Sequence, residues 1–124
     1  MSIEPIPETN DAIVIRTDFT DPVVWEAVCA AIRQPVGDFR AYVEFLSDPQ
    51  YDGVGPEQLR ALVPPDYRHT FLFVVDRLAI THHERPILVI DLRETPGRTF
   101  RVVPSEIWGV ENNLSRQYGL QQVR

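Results

Sequence analysis

Apolar residues fall along this chain in two rhythms. Ala12–Arg16 (AIVIR), Thr70–Val75 (TFLFVV) and Pro86–Leu92 (PILVIDL) are nearly continuous runs. Continuous runs mark strands covered on both faces of a sheet. Arg40–Leu46 (RAYVEFL) instead alternates, with Ala41, Val43 and Phe45 opposite Arg40, Tyr42 and Glu44, which fits an edge strand. Thr99–Val103 gives a fifth strand, Phe100 and Val102 opposing Thr99, Arg101 and Val103. It reads as the second edge.

Helical spacing fills the gaps. Asp21-Pro22 is an N-cap followed by proline at the first helical position, a strong start signal. Trp25, Val28, Cys29 and Ile32 then form one apolar stripe. Pro35 and Gly37 are expected to end this helix. Pro56 starts a short helix with Leu59, Leu62 and Val63 on one side, which Pro64-Pro65 stops. After Pro104, Ser105 is expected to cap a last helix with Ile107, Val110, Leu114 and Tyr118 along its stripe. Residues 1–11 carry prolines and no periodicity, and read as a flexible arm before one domain over 12–124.

These elements assemble into an α/β fold. Helical crossovers between the first three strands make them parallel and right-handed. Central and edge patterns give a mixed five-stranded sheet of order 2-1-3-4-5, with helices on both faces. The link DRLAITHHER is too short for a parallel crossover, so strand 4 should run antiparallel to strand 3. The hairpin RETPGR reverses the chain again.

Composition narrows the function. Of 124 residues, 44% are hydrophobic and 24% charged, and the formal net charge is -6. That balance argues against nucleic acid and anionic membrane as partners and favours a basic protein. Every basic side chain is arginine, which removes Schiff-base chemistry and the phosphate-loop lysine. With Cys29 the single cysteine, no intrachain disulfide can form. The start MSIEPIPETND lacks the basic and apolar regions of a signal peptide, and no apolar run approaches a membrane span. A cytoplasmic location is the expectation.

In an open α/β sheet, ligands bind beyond the strand carboxyl ends where strand order reverses. Here that point lies between strands 1 and 3, which places Asp18, Asp21 and Asp76 on one rim. Clustered carboxylates can hold a divalent metal or a small ligand. Equally, Asp21 can be a cap, Asp18 a turn residue and Asp76 a strand terminator. Response-regulator receiver domains place aspartates similarly but also use a lysine, which this chain lacks. His82, His83 and Glu84 form no spaced metal motif, and neighbours in an extended segment point apart. Cys29 lies on an apolar stripe, the usual place of an inert thiol. Gly53-Val54-Gly55 lacks the third glycine of a dinucleotide loop. No catalytic residue and no cofactor is assigned. Trp108, beside the stripe of the last helix, is a candidate anchor for a protein partner. Arg93, Arg98 and Arg101 around the hairpin could join it or form an internal ion-pair surface.

The stretches TDFTDPVVW, FLFVVD, RPILVIDL and GRTFRVVPSEIWGVENNLS resemble an uncharacterised family of small, mostly actinobacterial proteins, a domain of unknown function. The resemblance runs from about Ala12 to Leu120. It implies a compact bacterial cytosolic domain and transfers no catalytic residue. Two functions stay open: a non-enzymatic interaction domain of accessory, immunity-like or regulatory kind, or a ligand or metal site at the aspartate rim.

Overall fold

The computed structural model describes residues 3–110. Strands β1 (Ala12–Arg16), β2 (Val43–Leu46), β3 (Phe71–Val75), β4 (Ile87–Asp91) and β5 (Thr99–Val102) form one sheet of order β2-β1-β3-β4-β5. β1 pairs parallel with both β2 and β3, while β3–β4 and β4–β5 are antiparallel. The expected order and directions are all present. β2 is shortened most, starting at Val43 rather than Arg40, while β3, β4 and β5 fall short of their expected ranges by one residue at one or both ends.

Register explains why this sequence selects this pairing. Phe45, Val14, Phe73, Val89 and Phe100 are successive neighbours across all five strands. Large and β-branched side chains alternate along that row, an arrangement that packs well on a pleated surface. Helix α1 (Pro22–Arg33) lies over this face, and its Trp25, Val28, Cys29 and Ile32 are buried there as the stripe requires. The opposite face buries Ile13, Ile15, Leu72, Val74, Leu88 and Ile90 beneath Leu59 of helix α2 (Pro56–Ala61). The two crossovers therefore lie on opposite faces.

Four local readings change. The arm is not loose over residues 3–10: Ile6 is fully buried, its N–H donates to the Leu62 carbonyl at 2.9 Å, and the Tyr51 hydroxyl donates to the Glu4 carbonyl at 2.9 Å. Burying one isoleucine stabilises by about 2 kcal/mol, and these hydrogen bonds add to that anchoring. The β3–β4 link contains helix α3 (Arg77–Thr81). That helix is too short to show a period. Its two ends are held by side chains: Asp76 accepts from the Ala79 N–H at 3.2 Å, and Arg85 Nη1 donates to the Ile80 and His82 carbonyls at 2.8 and 3.0 Å. Gly37 (φ 61°) forms the tip of a tight reversal in which Val36 and Phe39 exchange backbone hydrogen bonds, four residues after α1 has ended at Arg33. Finally, Ser105 does not cap a helix. It lies inside a 3-10 turn (Pro104–Glu106) that leads into α4 (Ile107–Gly109). Ile107 and Val110 are buried on the α1 face, while Leu114 and Tyr118 lie outside the described residues.

Candidate functional site

At the carboxyl rim, the loop after β1 is shaped by its own side chains. Asp18 accepts hydrogen bonds from the backbone N–H and hydroxyl of Thr20. Its other oxygen lies 3.7 Å from Arg77 Nη1. Burial alone would raise the Asp18 pKa, but the Thr20 bonds, with Arg77 and Arg16 nearby, outweigh it and hold the carboxyl below its ordinary value. Arg16 is itself immobilised. Its guanidinium lies over the Phe19 ring at 4.3 Å and reaches the Asp18 carbonyl and Ser47 Oγ at 3.3 and 3.2 Å.

Asp21 caps α1 as expected, accepting from the Val24 N–H at 3.1 Å. Asp76 is more than a strand terminator. Besides capping α3, it takes two bonds from Arg101, at 3.0 and 2.7 Å, and Arg101 also donates to the Pro86 carbonyl at 2.9 Å. The three aspartates thus follow β1 and β3 as the topology requires, but each is satisfied by partners of its own. Among the described residues, no group of three or more His, Cys, Asp and Glu side chains is placed to hold a metal ion.

The remaining titratable candidates are structural. Cys29 is buried on the α1 stripe, and burial pushes its thiol up to about 11, which keeps the nucleophilic thiolate scarce at neutral pH. The rings of His82 and His83 do not point apart. They stack at 4.6 Å and 20° on the exposed turn after α3, because this turn is not an extended segment. His82 Nδ1 accepts from the Glu84 N–H.

The hairpin arginines hold the protein to itself. Arg93 Nη2 donates to the Tyr67 and Arg68 carbonyls, at 3.2 and 2.9 Å. Arg98 Nη2 lies 3.1 Å from Asp91 Oδ2. Asp91, wholly buried, was not singled out in the sequence because it closes an apolar strand. Its carboxylate also accepts from the N–H groups of Arg93, Glu94 and Thr95 at 2.9, 3.0 and 3.1 Å. A strand ending in aspartate before a turn with Thr-Pro-Gly is the signal that could have marked it.

Trp108 is half-buried, and its ring is stacked on Phe39 at 4.5 Å and 11°. Phe39 is 55% exposed, and Tyr42 (54%) and Val36 (36%) are exposed on the same α1–β2 connection. Sequence reading found Trp108 and missed Phe39. The signal was the two-residue Gly37-Asp38 turn, which reverses the chain and carries Val36 and Phe39 on its flanks.

The family model of a domain of unknown function, DUF6924, matches residues 11–118. No curated protein matches the chain.

Proposed function

The chain belongs to the DUF6924 family, and we propose that it is a non-enzymatic protein-interaction domain whose contact surface is centred on Phe39. One observation carries this reading: a large aromatic ring, 55% exposed, is held flat against Trp108 rather than folded into the core. An aromatic already fixed by stacking loses little conformational freedom on binding, and such residues supply much of the energy at protein interfaces. Val36 and Tyr42 extend the apolar surface. The net charge of -6 favours a basic partner and accelerates its approach. The aspartate rim supports a ligand-binding function less well, since Arg101 and Thr20 already occupy the carboxylates of Asp76 and Asp18. No helix among the described residues is long and apolar enough to cross a membrane.

A photo-crosslinking residue at position 39, expressed in the native host, should give a discrete covalent adduct. Val36→Glu, which leaves the stack in place, should abolish the adduct without lowering Tm by more than about 2 °C, the scale of an ordinary surface substitution. An unchanged adduct in that variant, or no adduct in the parent, rejects the proposal.

A further inference from the structure

The alternating pattern over Arg40–Leu46 is longer than the strand it forms. β1 begins at Ala12, which pairs with Val43, so residues 40–42 run past the end of their neighbour. They keep the character of a strand all the same. Arg40, Tyr42 and Glu44 are exposed, while Ala41, Val43 and Phe45 are half-buried against the core on the α1 face. The Arg40 guanidinium lies 5.8 Å from the centre of the Tyr42 ring, the next side chain on its face, as neighbours on one side of an extended chain do. Among the described residues, Arg40 and Ala41 make no backbone–backbone hydrogen bond.

The two edges of the sheet differ. All four residues of β5 pair with β4, and its one charged side chain, Arg101, is committed to Asp76 and the Pro86 carbonyl. The β2 edge carries one charge of each sign, Arg40 and Glu44, and among the described residues neither has an ion-pair partner. An open edge accepts a further strand, and its side chains select which one. Antiparallel pairing with a second copy, about a two-fold axis at Tyr42, sets Arg40 opposite Glu44 of that copy and Glu44 opposite its Arg40. Opposite charges facing across a strand pair are favourable. An axis at Ala41 instead sets Glu44 against Asp38, and an axis at Val43 sets Arg40 against Leu46. A register slipped by one residue puts the core-facing side chains on the charged face.

We infer that the β2 edge is a homodimer interface, in which two copies join antiparallel through residues 40–44 and form one continuous sheet. The contact is isologous, each copy supplying the same strand, and it completes the strand that residues 40–42 begin. Each copy carries a net charge of -6, so the copies repel at long range, and the paired segment is short. The dimer is therefore weak and forms at high chain concentration. The contact is made by the strand edge rather than by the Phe39–Trp108 stack, and neither proposal depends on the other.

Sedimentation equilibrium of the whole chain at physiological salt tests this, up to roughly 0.5 mM, where interfaces of the smallest class are populated. The parent should be partly dimeric. Glu44→Arg sets arginine against arginine, and Arg40→Glu sets glutamate against glutamate. Each alone should weaken dimerisation about tenfold or more. Both side chains are exposed, so the fold tolerates either change. Glu44→Arg also makes the net charge less negative, so its weakening isolates the cross-edge pairs from long-range repulsion. Mixing the two variants restores both opposite-charge pairs, and the mixture should dimerise as the parent does. A parent that stays monomeric at the highest concentration, a single variant that dimerises as tightly as the parent, or a mixture that stays monomeric overturns the interface.

Discussion

Asp91 and Asp76 are both paired with arginine, yet they sit at opposite ends of the sheet and are satisfied in different ways. Asp91 draws on its own hairpin: Arg93, Glu94, Thr95 and Arg98 all lie within seven positions of it. Asp76 joins distant pieces, capping α3 while receiving Arg101 from β5, 25 positions away. The first network specifies a turn and the second fastens a helix to an edge strand. An aspartate's role is therefore read from where its donors originate rather than from which rim it occupies.

Four substitutions break or sharpen that contrast, taken from the largest effect downwards. Asp91→Ala removes a wholly buried carboxylate that accepts from three turn N–H groups and pairs with the half-buried Arg98, and should cost about 3 kcal/mol in urea unfolding. A cost under 1 kcal/mol would remove the distinction. Asp76→Ala loses a cap and a partly exposed ion pair, side chains 30% and 25% exposed, for about 1–2 kcal/mol. A double-mutant cycle with Arg101→Ala should assign less than about 1 kcal/mol to the pair.

Asp18→Asn keeps an acceptor for Thr20 and removes only the charge. The folded Asp18 pKa lies below its ordinary value, so the charge contributes stability above about pH 4, the unfolded value. That contribution is lost as pH falls through the folded pKa. Parent and variant should therefore differ in Tm at neutral pH and converge under acid. A gap that persists or widens on acidification contradicts the assignment. Tyr67→Phe should have the smallest effect. Among the described residues the buried Tyr67 hydroxyl makes no well-formed hydrogen bond, although Thr9 and the Ile13 backbone lie close, and burial pushes its pKa up to about 12. Removing it should leave stability unchanged or raise it by up to about 1 kcal/mol in the same urea assay. A clear loss would show that the hydroxyl has a partner.

The sheet was legible because its signals are long-range averages. Continuous runs in β1, β3 and β4 and alternation in β2 fix which strands are central, and connection lengths fix direction. α1 was legible because cap, proline and stripe coincide at Asp21, Pro22 and Trp25. The rim was legible only as topology. That Asp18 and Asp76 follow β1 and β3 could be inferred, but their engagement by Thr20 and Arg101 depends on side-chain reach across elements. α3 escaped because five residues cannot display a helical period. Phe39 escaped because exposure at a turn leaves no mark in a hydrophobic pattern.

The mixed sheet also has a kinetic consequence. Thr99 pairs with Ile90 across nine positions, whereas Val14 pairs with Phe73 across 59. Closing the short loop costs less chain entropy, so the antiparallel half can form while the parallel half still waits for both crossovers. Folding should begin at the β4–β5 hairpin, with the Asp91 turn as its seed, and end with the docking of β2. Stopped-flow chevrons should then show Val89→Ala slowing refolding, while Phe45→Ala mainly accelerates unfolding. The reverse pattern would place the first-formed structure in the parallel half instead.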